Sequence, residues 1–257
     1  MRELSLEEVK KIGFDMLVKF DKICRENGIK YSLAYGTLLG AIRHKGFIPW
    51  DDDIDIMMSR NEYEKFLSVW KDDEYKLLTL QKGSEFWPLF SRITNPLTHL
   101  VPKKICNHGV WLAVIPYDNI PDDLAQRKRH IRRVTRAIRL LEIRRERLKC
   151  DSLRNIVLIG LKILSKPFSA YWIGCRIEKL KTKYRNTSCS QVNPWKDKII
   201  VDADIFNEYV DVEFNGLKVM AIRKYDYFLK YMYDDYMKLP PENERVPKHQ
   251  FTAYIED

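Results

Sequence analysis

Four aspartates fall within five consecutive positions of this chain: Asp51, Asp52, Asp53 and Asp55. Like charges held a few ångströms apart repel one another, so the cluster requires a cation that neutralises it. Carboxylate oxygens suit Mg²⁺ or Mn²⁺, and Mg²⁺ completes its coordination with waters and substrate phosphates. The sequence therefore predicts a divalent metal site, with Asp53 and Asp55 as ligands and Asp51 beside them, in an enzyme that acts on a phosphorylated substrate.

The elements that precede the cluster favour a metal site over an ordinary acidic surface turn. Apolar residues alternate over 29–35, as in a strand, and Gly36 ends this pattern before a short predicted helix at 37–43. The beginning of a helix presents free backbone N–H groups, so Gly36 and Thr37 are candidates for binding a phosphate. The basic residues that follow are further candidate substrate contacts: Arg43, His44 and Lys45.

The acidic cluster itself lies on a predicted strand at 51–58, where carboxylates alternate with isoleucines. Successive side chains of a strand point to opposite faces. We therefore expect Asp51, Asp53 and Asp55 to share one face, while the isoleucines between them face the core.

The wider pattern predicts an α/β (α+β) fold. A capping box at Ser5 begins a first helix, and Asn215-Gly216 marks a hairpin near the C-terminus. We predict a single domain over 1–257, made of a mixed sheet with flanking helices at 1–121, a basic helical insertion at 122–190, and a hairpin and helix at 191–257 that complete the core.

The net charge of +9 comes from one segment of the chain. Residues 126–149 hold eleven Lys or Arg against two acids, and elsewhere basic and acidic residues balance. Apolar residues recur at steps of three and four, which predicts a helix whose other faces are basic. Two interpretations of the basic faces stay open: they bind an anionic partner, either acidic lipid headgroups or a polyphosphate-like glycan, or they are simply solvated. Nucleic acid is disfavoured, because no recognisable binding motif accompanies the helix.

The apolar helical region at 152–184 is predicted to be an ordinary packed helical pair, with a membrane-resting interfacial face as the alternative. No segment reaches the roughly 20 apolar residues of a membrane span, and the charged first residues lack signal-peptide features. A content of 45% hydrophobic residues argues against disorder, and five cysteines without a CxxC spacing argue against a disulfide framework or a zinc site. We expect a protein of the reducing cytoplasm.

The residues around the acidic cluster resemble the LicD family of phosphotransferases. Gly36-Thr37 followed by Asp53-Ile54-Asp55 is similar to the nucleotidyltransferase pattern of a glycine with a small hydroxyl residue and then an apolar-flanked acid pair. The resemblance covers residues 35–58, 109–121 and 236–241, with Arg245 and His249. It implies a nucleotidyltransferase-like fold and transfer of phosphocholine, from CDP-choline, to a hydroxyl of a cell-surface glycan or teichoic acid precursor.

The resemblance also implies roles for individual residues. Asp53 and Asp55 would hold Mg²⁺ or Mn²⁺ against the donor's diphosphate. The implied substrate-binding residues are Gly36, Thr37, Arg43, His44, Lys45, Trp50, Asp51, Trp111, Asp118, Arg245 and His249. A choline group needs aromatic faces, for which the candidates are Trp50, Trp87, Trp111 and Tyr117, although most aromatics must pack in the core. The implied acceptor is a lipid-linked glycan, which places the enzyme at the inner face of the cell membrane with its basic segment on anionic lipid.

One position departs from the family pattern. LicD-like proteins carry a third acid where this chain has Ala113, and an alanine neither binds metal nor accepts a proton. Three explanations stay open: an engineered inactivating change, natural loss of activity, or replacement by Asp118 or another acid. Ala113 therefore makes donor binding by a protein that has lost turnover one alternative function. The other alternative is transfer of ribitol, glycerol or ethanolamine phosphate by the same fold.

Overall fold

The computed structural model describes residues 1–82, 89–102, 109–145, 152–193, 199–247 and 251–256. Its helices are α1 (Leu6–Glu26), α2 (Tyr35–His44), α3 (Arg60–Val69), α4 (Leu124–Arg145), α5 (Leu153–Leu164), α6 (Ala170–Lys181) and α7 (Tyr225–Tyr233). Its strands are β1 (Arg2–Glu3), β2 (Ser32–Leu33), β3 (Ile54–Ser59), β4 (Lys76–Leu78), β5 (Ser91–Thr94), β6 (Thr98–Pro102), β7 (Trp111–Ile120), β8 (Gln191–Asn193), β9 (Val201–Asp202), β10 (Tyr209–Phe214), β11 (Leu217–Ile222) and β12 (Phe251–Ile255).

The chain divides into two units. The first consists of Met1–Leu78, Phe90–Tyr117 and Ala203–Asp257, and the second of Thr79–Leu89 and Asp118–Asp202. The second unit includes the segment predicted as a helical insertion. It also includes residues 79–89 and 118–121, which were predicted to belong to the core at 1–121, and residues 191–202, which were predicted to complete the core from the C-terminal side. The predicted domain organisation otherwise stays a prediction.

The first unit is built on a mixed sheet with the strand order β2-β3-β7-β5-β4. β3 and β7 run parallel, and the other neighbours run antiparallel. Ile54 and Ile56 of β3 are fully buried, as are Met16, Leu17 and Phe20 of α1. A mixed sheet with flanking helices is the architecture that the sequence predicts, and the α/β (α+β) class is confirmed.

Local sequence signals explain several element ends. Helix α1 begins at the predicted capping box, where Ser5 accepts the Glu8 N–H and the Glu8 carboxylate accepts the Ser5 N–H. The hairpin β10–β11 turns at Asn215 (φ 49°) and Gly216 (φ 80°), as a tight hairpin turn requires. Helix α7 ends at Tyr233, because the next residue, Asp234, has a φ of 56°, which a right-handed helix cannot continue.

In the second unit, α4 and α6 pack around a small core. Leu141 of α4 is buried there with Ala170, Ile173 and Ile177 of α6. Helix α5, in contrast, exposes most of its apolar side chains. Both helices of the predicted packed pair contact α4, but only α6 buries its apolar side chains, because apolar periodicity indicates a helix but not what covers it. Within the described ranges, no helix combines the length and the apolar character that crossing a bilayer requires.

Candidate functional site

A turn, and not a strand, brings the aspartates together. Strand β3 begins only after the third aspartate, so the prediction that Asp51, Asp53 and Asp55 share one face of a strand is wrong. The Asp51 N–H donates to the Ile48 carbonyl oxygen at 2.9 Å. This bond closes a turn whose second residue is Pro49, where the fixed φ of proline favours a turn. The chain therefore bends through the cluster before it enters the sheet.

The bend produces an acidic triad made of Asp51, Asp52 and Asp53. Each contributes a carboxylate oxygen, and these oxygens all lie within 4.8 Å of one another. Asp51 and Asp52 are buried, and Asp53 is half-buried. Asp52, which has no role in the predicted site, is a member of this group, whereas the predicted ligand Asp55 lies on β3 and is not one of the three.

The donor chemistry of the acidic triad fits a small divalent cation. Three hard oxygen donors within reach of one point are what Mg²⁺ and Mn²⁺ prefer, and Mg²⁺ retains positions for water and phosphate. The residues that would hold such an ion are therefore Asp51, Asp52 and Asp53, with Asp53 nearest to solvent. The sequence predicts Asp53 and Asp55 as metal ligands, and of these two only Asp53 belongs to the acidic triad.

Helix α2 approaches the acidic triad through Gly36. A Cβ atom at Gly36 would lie 2.6 Å from Asp51 Oδ2, so only glycine leaves room for this carboxylate. Tyr35, the first residue of α2, has a φ of 44°, which is an unfavourable conformation for tyrosine. Thr37 is buried, and its Oγ1 accepts the Asp55 N–H at 2.9 Å. The beginning of α2 is thus fixed against both the triad and β3.

A Gly36→Ala substitution is expected to lower the free energy of unfolding by about 1–3 kcal/mol, because its methyl group overlaps the buried Asp51 carboxylate. Gly13→Ala is the matched control within the same unit, since a Cβ there meets its nearest atom at an ordinary 3.5 Å inside helix α1. We expect that control to raise the free energy by about 0.5–1 kcal/mol. Urea unfolding measures both, and equal effects would contradict a close packing of Gly36 on Asp51.

Position 113 lies beside Asp55 in the sheet. The parallel register pairs Asp55 of β3 with Ala113 of β7, and the antiparallel register pairs Ala113 with Arg92 of β5. Directly paired residues on neighbouring strands share a face, so these three positions form a row across the sheet. Ala113 is 1% exposed. The position where the resemblance implies a third acid is therefore next to Asp55, and its other neighbour, Arg92, has no signal in the sequence pattern.

Tyr233, at the end of α7, is a residue of this site that the sequence analysis missed. Burial raises the pKa of its phenol, and nearby carboxylates raise it further: Asp55, Asp51 and Asp53. Burial also raises the pKa of Tyr35, and the charge of Asp55 adds to this shift. Both phenols stay neutral at physiological pH. Tyrosine in an aromatic-rich helix usually indicates core packing, so no sequence signal separates Tyr233 from its neighbours.

The basic residues at the end of α2 hold the C-terminal segment. Arg43 Nη1 donates to the Tyr236 carbonyl oxygen at 2.7 Å. Burial lowers the pKa of His44 and the positive charge of Arg43 adds to this shift, so the imidazole is neutral at pH 7. Lys45 is exposed, and its carbonyl oxygen accepts the Asn215 N–H at 2.7 Å. These contacts are structural, and a substrate-binding role for the three residues stays a prediction.

The predicted aromatic candidates are in contact with protein groups. The Arg245 guanidinium lies 5.9 Å from the centre of the Trp50 ring, which brings two predicted site residues together from distant parts of the sequence. Trp111 has the Arg92 guanidinium 4.5 Å from its ring centre. Tyr117 is buried. A choline-binding role for these rings stays a prediction, and two further candidates, His249 and Trp87, lie outside the described residues.

Asp118 belongs to the second unit. It is buried there, 3.6 Å from the Lys181 ammonium nitrogen. A role for Asp118 as the replacement for an acid at position 113 stays a prediction.

Comparisons with known proteins identify similarity along the whole chain. A family model described as LicD/FKTN/FKRP, nucleotidyltransferase domain, matches residues 28–91. The lipopolysaccharide cholinephosphotransferase LicD of Haemophilus influenzae is 30% identical over 268 aligned positions, which cover 99% of this chain and 100% of that protein. An uncharacterised protein of Rickettsia typhi is 39% identical over 79 residues, covering 30% of this chain and 23% of its own. An uncharacterised protein of Rickettsia prowazekii is 47% identical over 55 residues, which cover 21% of this chain and 18% of that protein.

Proposed function

Because the chain belongs to the LicD family of nucleotidyltransferase-domain proteins, we propose that it transfers phosphocholine from CDP-choline to a hydroxyl of a lipid-linked, cell-surface glycan precursor. Full-length similarity to a lipopolysaccharide cholinephosphotransferase supports this cargo. The observation that carries the proposal is the acidic triad packed against Gly36, because a diphosphate donor needs a site where its charge is neutralised.

In the proposed reaction the acceptor hydroxyl oxygen attacks the donor's β-phosphorus, the bond from that phosphorus to the bridging oxygen breaks, CMP leaves, and the hydroxyl proton passes to water. The chemistry that bound Mg²⁺ supplies here is neutralisation of charge on the diphosphate and on the departing CMP. The acidic triad would hold this ion. Backbone N–H groups at the beginning of α2 bind a phosphate oxygen. Tyr233 is a neutral phenol near these carboxylates, and a neutral phenol can donate a hydrogen bond to a phosphate.

CDP-choline with Mg²⁺ is expected to raise the melting temperature of the protein, and CDP-ribitol is not. A ligand present at about 100 times its Kd adds about 2.7 kcal/mol to the free energy of unfolding, which a thermal-shift assay detects. EDTA should remove the effect. CMP measures how much of the stabilisation comes from the nucleotide part that all these donors share. CDP-glycerol and CDP-ethanolamine test glycerol phosphate and ethanolamine phosphate as alternative cargoes. Protection by CDP-ribitol without protection by CDP-choline would reject choline and retain the reaction class.

A second candidate function, donor binding without turnover, is favoured by one observation. The place beside Asp55 that would carry a third acid is Ala113, which cannot accept the proton of the attacking hydroxyl. Such a protein would bind CDP-choline in the presence of Mg²⁺ but release no CMP. Measuring binding and CMP release on one preparation separates this function from the transferase.

We also propose that the basic helix α4 holds the protein at the anionic inner face of the cell membrane. Its sequence contains nine Lys or Arg and a single acid. Within the described ranges, no carboxylate pairs with the arginines along its exposed side: Arg129, Arg133, Arg136 and Arg139. Each basic residue near such a surface contributes about 1 kcal/mol of attraction, which salt weakens. A lipid-linked acceptor would be within reach at this location.

A further inference from the structure

Helix α5 carries an apolar stripe that the second unit leaves exposed. The stripe consists of Leu153, Val157, Leu161 and Leu164. Steps of three and four place these residues on one side of the helix. Leu153 is 84% exposed, Val157 63% and Leu164 73%. Exposed leucines are ordinary when scattered singly, whereas a continuous row of them marks an interaction surface.

Two partly exposed aromatic side chains follow α5 in the sequence. Phe168 and Trp172 are both about half exposed, and their rings stack with centres 4.7 Å apart. Arg144, near the end of the basic helix α4, donates to the Phe168 carbonyl oxygen at 2.8 Å. A stacked aromatic pair, in which only the Trp172 indole carries a polar N–H, therefore lies beside the basic residue Arg144. This combination is typical of a helix that rests in a membrane interface.

The charges around the apolar stripe decide which partner covers it. Between residues 152 and 177 the sequence contains no Asp or Glu but four basic residues, Arg154, Lys162, Lys166 and Arg176. Helix α4 adds nine basic residues. A second copy of this chain would place two positive surfaces against each other, which repels, whereas an anionic bilayer is complementary to both the charge and the apolar face.

We propose that α5 lies in the plane of an anionic phospholipid bilayer with its apolar stripe among the headgroups and upper acyl chains. The proposal deepens the membrane association proposed above, to which α4 contributes charge, and it rests on that association. Charge attraction by α4 brings the protein to the surface, and burial of the stripe retains it there. The two contributions differ in their salt dependence, because salt screens exposed charges but does not weaken apolar burial.

Substitutions on opposite sides of α5 test the proposal. Val157→Asp places a charge on the apolar stripe, and Asn155→Asp makes the same change in charge two positions away, about 200° around the helix. Neither should harm the fold, because Val157 is 63% exposed and Asn155 lies in the first turn, where an acid is favourable. Co-sedimentation uses vesicles of phosphatidylglycerol and phosphatidylcholine, and of phosphatidylcholine alone, at low and high salt.

The wild-type chain is expected to bind the anionic vesicles and to keep part of this binding at high salt. Val157→Asp should weaken the binding by at least about tenfold, and Asn155→Asp by less than about threefold. Equal losses in the two variants would overturn the proposal. A wild-type dimer in gel filtration that Val157→Asp converts to a monomer would overturn it too, since a second copy would then cover the stripe. CDP-choline binding by the same variants should be unchanged, so failure of the donor proposal is separately visible.

Discussion

An Asp53→Asn variant is expected to lose Mg²⁺-dependent binding of CDP-choline while keeping its fold. Asp53 supplies one of the three carboxylate oxygens that lie within 4.8 Å of one another, and it is the half-buried member of the acidic triad. Loss of a residue that only supports a metal ligand costs about 10–100-fold in affinity, so loss of a direct ligand should exceed about 100-fold. Isothermal titration with CDP-choline, in Mg²⁺ and in EDTA, measures the difference.

The same substitution is expected to stabilise the metal-free protein. Two unit charges at the 4.8 Å limit of the triad repel by about 1 kcal/mol in water and by roughly 3 kcal/mol at an effective dielectric constant of 20. In EDTA, Asp53→Asn should therefore melt at a higher temperature than the wild type. In saturating Mg²⁺ the order should reverse, because only the wild type keeps all three carboxylates.

Asp73→Asn is the matched control, since it removes one negative charge from an exposed position in the same unit. It should change neither donor binding nor the effect of Mg²⁺ on the melting temperature. If Asp53→Asn bound CDP-choline as the wild type does, or if Mg²⁺ stabilised the two variants equally, the acidic triad would not be a metal site.

The clustering of carboxylates around Asp53 is predictable from the sequence, but the geometry of the acidic triad is not. Residue types and spacing indicate a cation site around Asp53, because crowded carboxylates have few other stable environments. The alternation of acids and isoleucines, however, is the same whether the strand begins at Asp51 or at Ile54. The turn at Pro49 delays the start of the strand to Ile54. As a result the acidic triad contains Asp52 and not Asp55.

Contacts between distant parts of the chain are also not predictable from local sequence. The resemblance to the LicD family identifies Ala113 as an unusual residue, but only the parallel register of β3 and β7 places it beside Asp55. Strand pairing depends on how the whole sheet assembles, and local sequence does not encode the register. Tyr233 is a further example, because its position near the carboxylates depends on where α7 packs.

The fold class is easier to predict from the sequence than the geometry of the site. Capping at Ser5, the Asn215-Gly216 turn and the buried isoleucines of β3 all depend on neighbouring residues, and the structure confirms each of them. Helix α5 differs because its apolar periodicity is equally compatible with a protein core and with a bilayer. The environment that covers a helix is a tertiary property, so the sequence alone left both alternatives open.

An Ala113→Asp substitution is expected to raise the rate of CMP release from CDP-choline by about 10²–10⁴-fold, the usual contribution of a positioned acid or base. The new carboxylate would stand beside Asp55 on the same face of the sheet, next to Arg92. A group there can take the proton of the attacking hydroxyl, which alanine cannot. A coupled assay for CMP, with donor, Mg²⁺ and a lipopolysaccharide acceptor, measures the rate.

Ala113→Asn separates this chemistry from a change in packing, because it has nearly the same size as aspartate but does not accept a proton. Position 113 is 1% exposed, so a carboxylate there loses its hydration and lies close to Asp55. In EDTA, Ala113→Asp should therefore melt at a lower temperature than Ala113→Asn, and Mg²⁺ should restore it. Adding Asp53→Asn should abolish the gain in rate, since residues of one site couple. Equal rates for the Asp and Asn variants would show that the proton is accepted elsewhere, and that Ala113 does not account for any loss of turnover.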